Sequence, residues 1–216
     1  MSEPQVTILY YTSDTEDELF ASKIRDNILK HKGNLPLISV SQKPLKNFGH
    51  NICVGEHDNC YHNEFRQIQI GLKDVKTPFV LHAEADVLYP PEYFSFVPPE
   101  PRNYRYDNVW ILHDSNNPRF HFKRQSIGAE INYTQAWLER LNHYLKGRKE
   151  WDDKTRLSTR ITFPESFEYV WTGVPVISFK TYNGINRFTV LNKSRGIEHN
   201  LPFWGNAKKL KKVLIP

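Results

Sequence analysis

Cysteine is scarce in this chain of 216 residues. Cys53 and Cys60 are the whole complement, too few for a disulfide scaffold and in keeping with a reducing compartment. No unbroken apolar run approaches the length that crosses a bilayer, and residues 1–7 lack the basic start and apolar core of a secretory signal. A cytoplasmic location with no membrane partner is therefore expected. Also missing are an internal repeat, a Gly-rich phosphate-cradling motif and a nucleophile elbow, absences that remove several enzyme classes.

What is present is ordinary for a folded protein. Hydrophobic content of 39% and aromatic content of 13% argue against wholesale disorder, and the length suits one core and one domain. Lys and Arg number 29 against 24 Asp and Glu, a net charge of +5 that favours a polyanionic partner without requiring one. The basic residues gather in two places, Arg119, Lys123 and Arg124 mid-chain and Lys208, Lys209, Lys211 and Lys212 near the end. The plainer reading of either run is a solvated face.

Residues 6–11 read as a buried strand. They lead into a helix with Phe20, Ile24 and Ile28 as its stripe, a capping box from Ser13 or Thr15, and Gly33 at its end. A second strand over 36–40 completes a βαβ opening, which implies a parallel sheet. Residues 41–61 read as a long loop. In or beside it lie Cys53, His57, Cys60 and His62, four zinc-capable side chains whose spacing lacks the two separated chelating pairs of ordinary zinc modules. A helix over 63–72 would set Arg66 beside that loop.

The sequence is organised around residues 77–94. A short apolar run, Phe79, Val80 and Leu81, reads as a strand buried on both faces. Two carboxylates follow, Glu84 and Asp86, then a turn fixed by Pro90 and Pro91. In an open α/β sheet, ligands bind outside the carboxyl ends of strands, so Glu-Ala-Asp at that place points to a site. Two hard oxygen ligands suit Mg²⁺ or Mn²⁺, which can hold a diphosphate. A solvated acidic turn capping the helix at 90–94 is the plainer alternative. Further on, 96–106 reads as a loop, 109–112 and 174–179 as strands, 120–123 as an antiparallel strand, and 134–146 as a helix.

Glu84-Ala85-Asp86, followed by Pro90, Pro91, Tyr93 and Phe94, resembles the metal-binding motif of GT-A nucleotide-sugar glycosyltransferases, most closely those like glycosyltransferase family 2. Here Glu replaces the more usual first Asp. The resemblance implies an α/β fold, a single GT-A-like domain over 1–216, with a mostly parallel sheet, helices on both faces and antiparallel strands near the acceptor side. Residues 1–95 would hold the nucleotide sugar and 96–216 the acceptor and basic tail. It implies a metal-dependent glycosyltransferase with a nucleotide-sugar donor, foremost a UDP-sugar. Glu84, Asp86 and the late His199 would be ligands of Mn²⁺ or Mg²⁺. Tyr11, Thr12, Ser13, Arg66 and Asp86 would contact the donor, and Glu165 or Glu168 would be the general base of an inverting reaction. Thr12 and Ser13 read equally well as turn and cap residues, and Glu165 and Glu168 as the opening of a helix. The acceptor expected is a hydroxyl, with a hydroxylated DNA base, as modified by certain bacteriophage enzymes, as one form. A non-catalytic nucleic-acid-binding protein on the same scaffold is the alternative.

Overall fold

The computed structural model describes residues 5–113, 115–153, 169–181, 183–185 and 196–215. At its centre is β1 (Val6–Thr12), buried at every position. It pairs in parallel with β2 (Leu37–Ser41) on one side and β4 (Phe79–Glu84) on the other. Beyond β2 lies β3 (His50–Cys53), also parallel. Beyond β4 come β9 (Glu130–Tyr133), which runs antiparallel, then β6 (Tyr104–Tyr106) and β10 (Tyr169–Trp171). The result is a seven-stranded, mostly parallel sheet.

A second, five-stranded sheet is built from β12 (Ile197–Glu198), β8 (Phe120–Arg124), β7 (Val109–His113), β11 (Val176–Lys180) and β5 (Val87–Leu88), in that order. Glu84 closes a strand of the first sheet and Val87 opens a strand of the second. The chain therefore crosses between sheets within Ala85 and Asp86. A small hairpin, β13 (Asn200–Leu201) with β14 (Gly205–Asn206), precedes the last helix.

Helices cover both faces of the large sheet, as the expected α/β class requires. The helix α1 (Glu18–His31) buries Phe20, Ile24 and Ile28 in a core shared with Ile8, Tyr10 and Leu81. The second sheet and α4 (Ala207–Leu214) join the same core through Val109, Phe120, Val176 and Leu214. On the opposite face, α2 (Tyr61–Leu72) and α3 (Thr134–Leu145) bury Phe65, Ile68, Leu72, Trp137 and Leu141 against Leu9, Val40 and Val80. Alternate residues of β1 thus serve opposite cores, the period-two consequence of a strand covered on both sides. Close approach of α2 depends on Gly71, where a Cβ would meet Leu9 Cδ1 at 2.3 Å and Val40 Cγ2 at 2.9 Å. Each fully buried aliphatic or Phe side chain contributes ~1.5–3 kcal/mol, so truncating Ile24 to Ala would remove ~2–5 kcal/mol once the cavity is included.

Several sequence expectations are corrected in detail. Asp17, not Ser13 or Thr15, caps α1, its carboxylate accepting from Phe20 N at 3.1 Å. Ser13 and Thr15 instead bond each other through their hydroxyls. The stretch read as a long loop contains β3, an edge strand whose residues are exposed or half-buried, so no apolar alternation betrays it. The loop expected over 96–106 contains β6, and β9 and β10 were likewise unread. Glu165 and Glu168 lie outside the described residues.

Candidate active site

The strand order β3-β2-β1-β4 reverses direction of growth at β1, with β2 on one side and β4 on the other. That reversal opens a crevice at the carboxyl ends of β1 and β4, the place where open α/β sheets receive ligands. A cavity of about 380 Å³ lies there, lined among others by Tyr11, Thr12, Ser13, Glu84 and Asp86. The structure thus brings together five residues singled out in the sequence.

Tyr11 and Glu84 are register partners across β1 and β4. The Tyr11 ring is buried, and its hydroxyl donates to Glu84 Oε1 at 3.1 Å while standing 3.3 Å from His82 Nδ1. Burial holds His82 down to about 4, so it stays neutral. Tyr89 braces the same turn: its hydroxyl accepts from Glu84 N at 3.0 Å and donates to the Gly128 carbonyl at 2.6 Å. Asp86 is fixed through its own carbonyl, which accepts from Phe179 N at 2.8 Å. That bond sets Asp86 beside the end of β11 and Lys180.

Two further acids line the cavity, Glu16 just before α1 and Glu64 in the first turn of α2. Neither was singled out as a site residue. The signal was topological: a crossover helix that packs back on a parallel sheet starts at the carboxyl edge, so acids opening such helices converge on the crevice. Burial, then the Asp86 charge, pushes the Glu84 carboxyl up. Burial, then the Glu84 and Asp86 charges, pushes Glu64 up, and burial raises Asp86 against the opposing pull of Lys180 and Lys123. Burial also raises Glu16 to about 6, although its Oε1 accepts from the Thr181 hydroxyl at 2.6 Å.

Two lysines from the second sheet, Lys123 of β8 and Lys180 of β11, complete the lining. Lys123 is exposed on β8, and the nearby charge of Lys180 pulls its ammonium down from the ordinary lysine range. Lys123 Nζ donates to Ser126 Oγ at 3.0 Å. Among the described residues, neither lysine forms an ion pair with any of the acids. Among the described residues, the cavity therefore presents groups of both charge signs with no direct ion pair between them.

The remaining expected residues lie elsewhere. Arg66 does not line the cavity; its guanidinium donates to the Glu150 and Lys149 carbonyls and to Gln69 Oε1. It fastens α2 to the segment after α3 because it points away from the crevice, on the far side of the helix from Glu64. His199 is exposed beside the β13–β14 hairpin, where its carbonyl accepts from Ala207 N at 2.9 Å, and it too is absent from the lining. The four zinc-capable side chains do not converge: Cys53 Sγ donates to Gln42 O, His57 stacks on Trp151 at 3.8 Å, and His62 Nε2 stands 3.0 Å from Lys149 O.

No three His, Cys, Asp or Glu side chains form a metal-holding group among the described residues. Two carboxylates still suit Mg²⁺ or Mn²⁺ where substrate phosphate and water complete the shell. Asp86 meets that test, because among the described residues its half-buried carboxylate forms no ion pair and no hydrogen bond to another residue's side chain. Glu84 stands two residues away with one oxygen engaged by Tyr11.

No family model and no curated protein matches the chain. Solved structures that resemble it include the mannosyltransferase PcManGT from Pyrobaculum calidifontis in complex with GDP-Man and Mn²⁺, at 14% identity and a TM-score of 0.49, over 85% of this chain and 59% of that one. Staphylococcus aureus TarS in complex with UDP-GlcNAc is similar at 10% identity and a TM-score of 0.38, over 61% and 46%. The inositol-1-phosphate CTP transferase from T. maritima is similar at 10% identity and a TM-score of 0.46, over 88% and 93%. This chain thus spans under two thirds of the length of the PcManGT and TarS chains.

Proposed function

We propose that this cavity transfers a sugar from a nucleotide-sugar donor to a hydroxyl acceptor. The observation that carries the reading is the meeting of groups of both charge signs, without an ion pair among the described residues, at one strand-end crevice: Glu84 and Asp86 from the sheet crossing, Lys123 and Lys180 from the second sheet. A diphosphate held with a divalent cation presents the complementary pattern, anionic oxygens for the ammonium groups and a cation for the carboxylates.

In this reading Glu84 and Asp86 would hold Mn²⁺ or Mg²⁺, which when bound neutralises charge growing on the leaving diphosphate. Lys123 and Lys180 add donors to the same oxygens. Thr12, which ends β1, and Ser13, just after it, would take the nucleoside end, foremost that of a UDP-sugar. The Tyr11 hydroxyl orients Glu84 from within the core, so its role is positioning. Glu165 or Glu168 as the base of an inverting reaction, and His199 as a third ligand, rest on the sequence alone. A hydroxylated DNA base as acceptor draws support from exposed Arg124, next to Lys123 at the cavity.

Thermal melting with nucleoside diphosphates and nucleotide sugars, with and without Mn²⁺, tests the donor. A ligand at about a hundred times its dissociation constant adds ~2.7 kcal/mol. The expected result is a rise that needs both metal and one nucleotide and disappears in Asp86→Ala. No rise with any combination overturns the transferase reading.

A further inference from the structure

Away from the cavity, we infer that the α1–α4 side of the protein docks on an anionic lipid bilayer, contrary to the sequence expectation of no membrane partner. The helix α4 buries Ala207 and Leu214 and half-buries Leu210 and Lys211, a stripe at helical spacing toward the core. Its other side exposes Lys208, Lys209, Lys212 and Val213, and residues 205–216 contain no acid. Lys211 is engaged with Ser115 O at 2.9 Å, which leaves the other three lysines as the outward charge.

Two apolar side chains stand in this basic setting. Val213 is 65% exposed and Phe203, in the β13–β14 turn, is 58% exposed. Phe203 has a φ of 69°, a left-handed conformation that a bulky L-residue adopts only where its surroundings impose it. Its neighbour Trp204 turns inward and donates through Nε1 to the Pro175 carbonyl. With Trp204 as anchor, the strained residue is held outward against His31 at the end of α1, next to exposed Lys30. The C-terminal end of α4 is tied to the same helix, Lys23 Nζ donating to Val213 O at 2.7 Å.

A solvated basic face needs no aromatic held at a strained turn, and a nucleic-acid face has phosphates but no apolar layer to receive Phe203 and Val213. Lysines around projecting apolar side chains match anionic headgroups above an acyl boundary.

The test is co-sedimentation of the full chain with vesicles of phosphatidylcholine alone and of phosphatidylcholine with phosphatidylglycerol. Binding is expected only to the anionic vesicles, weakening as salt rises. Together, Lys208→Gln, Lys209→Gln and Lys212→Gln should lower partitioning by roughly a hundredfold. Phe203→Gly should also lower it while leaving the melting temperature unchanged or higher, because glycine accepts a positive φ. No binding to anionic vesicles, binding that the lysine variant leaves intact, or lysine-dependent retention of duplex DNA without vesicle binding overturns the inference. The last outcome assigns the face to nucleic acid.

Discussion

The Glu84 carboxyl group rests on Gly128: a Cβ at residue 128 would lie 2.3 Å from the carboxyl carbon of Glu84. Gly128 also receives, on its carbonyl, the Tyr89 hydroxyl that braces Glu84 N. Gly128→Ala is therefore expected to push the carboxylate out of place. Overpacking of this kind lowers stability by ~1–3 kcal/mol, readable in a urea titration. Mn²⁺-dependent nucleotide binding should fall by tenfold or more, and undiminished binding would show that the Glu84 position is immaterial to the site.

The crowded acids give the free protein a characteristic pH dependence. Glu84 and Glu64 are pushed up from 4.5 to about 7 and about 8, chiefly by burial. Groups raised on folding hold protons more tightly in the native state, so their contribution is full below the ordinary carboxylate range and is lost as pH rises through the raised values. The melting temperature should accordingly fall from pH 5 to pH 8. In Glu84→Gln the slope should flatten, because one titrating group and one repelling charge are gone. A profile identical to the parent would mean that these acids are not crowded in solution.

Lys180→Gln and Lys123→Gln separate the two signs of charge. A charge-assisted hydrogen bond to phosphate contributes ~1.5–3 kcal/mol, so each variant should weaken nucleoside diphosphate binding about ten- to hundredfold by calorimetry. Arg at either place should restore part of the affinity, since it keeps the charge. Equal affinity for a nucleoside and its diphosphate in the parent protein would leave the lysines without this role.

The rim of the cavity depends on a small amide network. Asn63 Nδ2 donates to Asp152 Oδ1 at 2.6 Å and to Asp58 O at 2.7 Å, and Asn63 Oδ1 accepts from Asp152 N at 2.9 Å. Asp152 Oδ1 also accepts from Asp58 N at 2.8 Å. Asn63 is buried, so Asn63→Ala removes these three bonds and leaves a cavity, and should lower stability by ~1–3 kcal/mol. Because Asp58, Asn59 and Cys60 line the cavity, KM for the donor should rise more than kcat falls.

The sequence disclosed what its periodicities encode. The stripe Phe20, Ile24, Ile28 and the apolar run from Phe79 to Leu81 sit in the cores expected of them, and strand-end chemistry placed Glu84 and Asp86 in the crevice. Short edge strands escaped because they carry too few buried side chains to form a pattern: His50–Cys53 contains one aliphatic residue, Ile52. Glu16, Glu64 and Lys180 escaped because each reaches the cavity through topology rather than through a local motif. Arg66 stands outside the lining for the opposite reason: periodicity gives the helix but not the direction of this side chain around it.

The passages from β4 to β5 through Ala85 and Asp86 and from β8 to β9 through residues 125–129 both join the two sheets, and both border the cavity. A ligand held by Glu84 and Asp86 on one side and by Lys123 and Lys180 on the other would clamp the sheets together at the same place. Occupancy of the cavity should therefore be legible far from it, as slowed amide exchange along β7 and β11.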